Sequence, residues 1–125
     1  MYRFSVDEIH KIILIEISGF LQQGEILQFG NDKKELFNQY EPNTYSLLID
    51  AHRLDPICQD CIPLYQEVMA IGFDWAKRIV VVSGNRTVTR MQMSRMEASI
   101  RHGKEENKPI MRFDSIQEAR RYIME

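Results

Sequence analysis

Long hydrophobic runs are missing from this chain: none approaches the roughly 18 apolar residues that a membrane helix needs, so no span is expected. Cysteine is scarce as well, at two in 125 residues, which excludes a disulfide framework and leaves the thiols expected in reduced form. Metal-ligand spacing is absent. His10, His52 and His102 do not fall in an H-x-x-x-H pattern, and Cys58 with Cys61 offers two soft ligands where a structural zinc takes four. Only Gly84 follows the strand-like "VVVS", so neither a G-x-G-x-x-G nor a Walker loop is available to wrap phosphate. No nucleophile or acid/base pair stands beside an orienting partner in a recognisable pattern. These absences lead to the expectation of a protein that is not an enzyme and carries no cofactor and no metal.

Charge excludes a further class. The net charge is −2, but residues 1–62 hold ten acids against five bases, while residues 63–125 hold eight acids against eleven bases. Nine of those bases lie within 77–112, enough to attract an anionic partner, yet nucleic-acid binding calls for a more basic domain or a base-reading motif. No nucleic acid is expected. The opening "MYRFSVDEIHKIILIEI" has acids before its apolar run and no small-residue cleavage site, so it reads as strand rather than signal peptide. A cytoplasmic, single-domain protein over 1–125 is the expectation, since this length suits one core.

What is present is an alternation of strand and helix signals. Residues 2–6 and 11–17 read as a hairpin, the second strand carrying the β-branched run "KIILIEI". From Glu25 to Tyr40 the positions Ile26, Phe29, Lys33 (by its stem), Leu36, Phe37 and Tyr40 form one helical stripe, ended by Pro42. "YSLLID", 45–50, is a short strand. A helix over about 60–72 turns Cys61, Ile62, Tyr65, Val68 and Met69 inward; Pro63 sets its start, Asp60 is its expected N-cap, and Gly72 closes it. "KRIVVVSG", 77–84, is a strand of the kind buried on both faces. A third helix is expected over 87–102, a last strand over 109–113, and a last helix opened by a Ser115/Glu118 capping box. Right-handed crossovers between these elements imply an α/β fold: an N-terminal β-hairpin followed by alternating β/α units, with a mainly parallel central sheet and helices packed against it. Strands 45–50 and 78–83 should be neighbours at its centre.

The stretch "YSLLIDAHRLDPICQDCIPLYQEVM" carries the chemistry most open to question. A thiol at a helix N-terminus gains thiolate character from the helix dipole. The strand, loop, C-x-x-C and helix are similar in layout to the active site of thioredoxin-like proteins, which implies a thiol oxidoreductase using Cys58 and Cys61. The aromatic residue before the first cysteine and the Gly-Pro between the two are missing, with Pro56-Ile57 and Gln59-Asp60 in their places. The alternative for the two thiols is that they act as small apolar residues.

Over nearly the whole chain, "LLIDAHRLDPICQDCIPL", "AKRIVVVSG" and "IMRFDSIQEARRYI" together resemble the STAS, or SpoIIAA-like, family of anti-sigma-factor antagonists. In that family a strand ending in Asp leads to a D-[ST]-[ST]-G-L switch loop at the start of a helix. The resemblance places Asp50 on the strand-end Asp, Cys58 on the loop Asp, Gln59 and Asp60 on the two hydroxyl residues, and Cys61 with Ile62 on Gly-Leu. It implies a regulatory or adaptor protein that acts by protein–protein interaction on a kinase-type or anti-sigma-like partner, but one without the phosphorylatable hydroxyl. The implied switch or partner-binding loop comprises Asp50, Asp55, Cys58, Gln59, Asp60 and Cys61. Asp60 then reads either as a cap or as a permanent negative charge that mimics part of a phosphorylated loop. Two apolar stripes on the third helix leave one near the surface, so Arg86, Arg90, Met93 and Met96 form a second candidate partner surface, with a homodimer as one outcome. A small-ligand or lipid-binding member of the same fold is a further alternative, with Phe73, Trp75 and Tyr65 lining a cleft.

Overall fold

The hairpin forms where the β-branched runs lie. β1 (Tyr2–Asp7) and β2 (Ile12–Gly19) pair antiparallel, and the Asp7 carboxylate holds the turn by accepting from the backbone amides of Ile9 and His10, each at 3.1 Å. In this computed structural model, which describes residues 1–83 and 110–124, the chain continues through α1 (Gln23–Phe37), β3 (Ser46–Leu54), a 3-10 turn (Gln59–Cys61), α2 (Ile62–Ala70), β4 (Ile79–Val82), β5 (Ile110–Phe113) and α3 (Ile116–Met124). The expected helix over 87–102, with Arg86, Arg90, Met93 and Met96, lies outside the described residues.

One sheet runs in the order β1-β2-β3-β4-β5, and every pairing after the hairpin is parallel. β3 and β4 are neighbours, with Leu47 opposite Ile79 and Asp50 opposite Val82, as the expected α/β order requires. Because each strand is laid down on the same side of the last, right-handed crossovers deliver their helices to one face. α1 and α2 accordingly share that face, where Ile26, Phe29 and Phe37 with Tyr65 and Val68 cover Ile13, Ile15, Ile17, Leu47, Ile49, Ile79 and Val81. α3 follows the last strand and crosses no strand gap, so it is free to take the opposite face. There Ala119 and Ile123 cover Ile12, Leu48, Val80 and Val82. β4 is therefore apolar at all four positions because both of its faces are covered.

Some boundaries differ from those read in the sequence. α1 starts earlier and stops at Phe37, short of Tyr40 and Pro42. α2 is preceded by a 3-10 turn, and its N-cap is Cys61, whose side chain makes no capping hydrogen bond. Asp60 is thus not the N-cap; it is an exposed residue inside the turn. Gly72 does end the α2 region, with φ of 96° in the left-handed range, and a Cβ there would lie 2.5 Å from Phe37 Cε2. At α3 the expected box is half formed: the Glu118 amide donates to Ser115 Oγ at 3.2 Å.

Two of the three rings considered for an apolar cleft are packed into the core. Tyr65 and Phe73 are buried members of the main core, and Trp75 stacks on Phe37 with ring centroids 4.3 Å apart. Phe73 lines, with Leu47, Ile49 and Ile79, a space of about 30 Å3, room for a water or two. Tyr65 reaches the core from α2, whereas Phe73 and Trp75 reach it from the turn that follows the helix.

Candidate functional site at the carboxyl edge of the sheet

Four parallel strands put their carboxyl ends along one edge, the place where open α/β sheets present their ligand-contacting loops. β3 does not stop at Asp50, as expected, but only leaves β4 there. It continues beside β2 to Leu54 through an irregular register: Glu16 is opposite Asp50, and Ser18 is opposite Arg53. Two residues of β3, Ala51 and His52, therefore oppose the single Ile17. The burial pattern shows the same bulge, since Ala51 and Leu54, three apart, both enter the core on the α1/α2 face. An unbroken strand would have sent them to opposite faces.

The bulge turns His52 and Arg53 outward beside Asp50, whose side chain is nearly buried. The Asp50 carboxylate accepts from the His52 backbone amide at 3.3 Å and from His52 Nδ1 at 2.5 Å. This fixes the half-exposed imidazole and leaves Nε2 for an outside group. With Glu16, Ile17, Ser18 and Arg53 these two residues line a polar depression of about 270 Å3. Glu16 is itself held by Arg3 at 2.7 Å. His52, Arg53, Glu16 and Ser18 were not among the expected site residues. Their signal was the alternation of β3, in which Asp50 follows Leu48 onto an inward face that should have stayed apolar.

Beyond Leu54, the Asp55 amide donates to Gly19 O at 3.1 Å and ties the loop to the end of β2. Ile57 and Cys61 are buried at 4% and 8% exposure, and between them Cys58, Gln59 and Asp60 all face solvent. The loop is pinned at both ends and presents a tripeptide. It lies over the stretch that the resemblance assigns to the switch, so the structure brings Asp55, Cys58, Gln59, Asp60 and Cys61 into one segment, with Asp50 at the strand bulge before it. The Cys61 amide donates to Cys58 O at 2.9 Å, and both thiols are free. Burial pushes the Cys61 thiol above its ordinary pKa, with the Cys58 sulfur and the Asp60 charge adding to the shift. Among the described residues no cluster of three or more His, Cys, Asp or Glu is placed to hold a metal ion. No described helix is long and apolar enough to cross a membrane.

Among the described residues, a five-stranded, mostly parallel sheet with an N-terminal hairpin, crossover helices on one face and a closing helix on the other matches the SpoIIAA-like fold. Solved structures that share it include the following two. An anti-sigma factor antagonist from Mycobacterium paratuberculosis is similar at a TM-score of 0.64 and 10% identity, covering 100% of this chain and 94% of that one. The Bacillus cell fate determinant SpoIIAA in its phosphorylated form is similar at a TM-score of 0.57 and 12% identity, covering 98% of this chain and 99% of that one. No protein-family model and no curated protein matches the sequence. At these identities the likeness is one of fold.

Proposed function

We propose that the chain is a regulatory protein that works by protein–protein contact, and that the partner meets it at the carboxyl edge through the loop Asp55–Cys61 and the Asp50–His52 pair. The observation that carries this reading is the exposed tripeptide Cys58-Gln59-Asp60, pinned between buried Ile57 and Cys61 on a fold shared with an anti-sigma factor antagonist. A loop held at both ends loses little conformational entropy on binding, which suits a contact surface. No hydroxyl side chain occurs from Asp55 to Pro63, so phosphate cannot control this loop by esterification. Asp60 instead supplies a constant single charge. The thioredoxin-like alternative lacks the aromatic residue before the first cysteine and the Gly-Pro between the two, since Pro56-Ile57 and Gln59-Asp60 stand there.

Affinity capture on the full chain, with retained proteins identified by mass spectrometry, tests this. An anti-sigma-type or kinase-type regulator should be retained, and Asp60→Arg should reduce its retention at least about tenfold, the loss expected from a reversed charge at a close interface pair. Asp74→Arg, beyond α2 and before β4, should leave it unchanged. Equal retention by the Asp60→Arg protein would sink the reading. Insulin reduction that turns over and is lost in Cys58→Ser would replace it with the oxidoreductase.

A further inference from the structure

Cys58 and Cys61 stand three residues apart across a 3-10 turn closed by the amide of one and the carbonyl of the other. Cys58 precedes the turn and Cys61 ends it; the Cα atoms at the two ends of such a turn lie within about 7 Å, the separation that a disulfide spans, and the two thiols are close enough to share a hydrogen bond. The two thiols are unequal: Cys58 faces solvent and Cys61 is buried against the core that holds Tyr65 and Val68. We propose that this pair is a modification site for low-molecular-weight disulfides, which enter at Cys58 and are resolved by Cys61 into a disulfide within the turn.

The chemistry proceeds in two exchanges. The Cys58 thiolate attacks a small disulfide RSSR, forming Cys58–S–SR and releasing RS−. Cys61 then gives its proton to solvent, and its thiolate attacks the Cys58 sulfur, forming the Cys58–Cys61 bond and releasing a second RS−. The protein loses two electrons and RSSR gains them, leaving two thiols. The order follows from exposure, because only Cys58 can meet a bulky disulfide. Burial is the main influence that holds the Cys61 proton, and capping Cys58 removes a lesser one.

A thiol that ionises reluctantly is also a poor leaving group, so the bond once made is slow to reopen. The pair therefore acts as a latch on the loop and not as a turnover catalyst. Its closing would fix the backbone that presents Gln59 and Asp60. The proposal rests on the turn alone and needs no partner, so its failure leaves the protein-contact reading standing, and the reverse also holds.

The test treats the reduced full chain with oxidised glutathione, alkylates the remaining thiols and weighs the intact protein. The wild type should lose two hydrogens and take up no alkyl label. Cys61→Ala should stop with one glutathionyl group on Cys58, and Cys58→Ala should stay unmodified over the same time. If Cys61→Ala does not fold, wild-type protein quenched early should show the glutathionyl group on the Cys58 peptide position before the internal bond appears. Full alkylation of both thiols after treatment, a persistent glutathionyl adduct on the wild type, or first attachment at Cys61 would each overturn the proposal.

Discussion

Lys33 is the residue whose chemistry the fold alters most. Its position on the apolar stripe of α1 was legible as a buried stem, and lysines on such stripes usually carry the ammonium to water. Instead the whole side chain is buried at 1% exposure, with Nζ donating to Val68 O at 3.0 Å and lying over the rings of Phe29 and Phe37. Desolvation lowers its pKa from 10.5 to about 7. Between those values the unfolded chain binds the proton and the folded one does not, so stability rises with pH over that interval and the whole cost is present below it. The shift corresponds to roughly 4–5 kcal/mol. Tyr2, hydrogen-bonded to Asp32 and pushed up to about 12, acts oppositely above pH 10, where only the unfolded chain gives up the phenol proton. On these two groups, urea unfolding of the wild type should be most difficult near pH 10. Lys33→Met should raise stability at pH 7 by a few kcal/mol and flatten the rise between pH 7 and 10; an unchanged alkaline slope would show that Lys33 is solvated.

At the scale of elements, α1 and α2 meet at a point that no propensity reveals. Gly30, in the interior of α1, lies so close to α2 that a Cβ would stand 2.9 Å from Val68 Cγ2. Alanine would gain about 1 kcal/mol of helix propensity, but overpacking a stiff buried valine costs about 1–3 kcal/mol. Gly30→Ala should thus destabilise the protein by about 1 kcal/mol in denaturant titration. Combining it with Val68→Ala should recover part of the loss, giving a favourable coupling in a double-mutant cycle. Zero coupling would mean that the helices slide apart to admit the methyl group. The types and order of the described elements were legible because each carries a strong period: the alternation in β2, the stripe of α1, the unbroken "IVVV" of β4. What was not legible came from interactions between elements. The bulge at Ala51–His52 depends on β3 leaving β4 while it stays paired with β2, a tertiary event with no local turn residue to announce it. Asp60 lost its expected cap role because a 3-10 turn moved the start of α2 two residues on, to Ile62. The pinned loop was readable as a candidate from its polar stretch between apolar runs, whereas the Asp50–His52 depression was not.

On the scale of the whole molecule, unidirectional winding divides the protein into unequal halves. Among the described residues, one face of the sheet is covered by α1 and α2 and the other by α3 through Ala119 and Ile123, with Arg78 donating to Ile123 O at 2.9 Å and lying over the Tyr122 ring. A helix of nine residues held by so few buried side chains should open without the rest of the fold, because its own propensity cannot sustain it and the opposite core does not need it. Native-state hydrogen exchange should then show α3 amides opening at a lower free energy than those of β3 and β4. The order of events can be checked with two substitutions that differ in what they weaken. Ile26→Val, in the α1/α2 core, should cost about 1 kcal/mol and weaken the native and the α3-open forms alike. It should lower protection in β3 and leave α3 exchange unchanged. Ile123→Ala weakens only the native form, so it should lower protection in α3 and β3 together, by about 2–4 kcal/mol if α3 still docks. If Ile26→Val instead lowers α3 protection as much as that of β3, the two faces open as one cooperative unit, and α3 is bound into the fold more tightly than its small buried face implies.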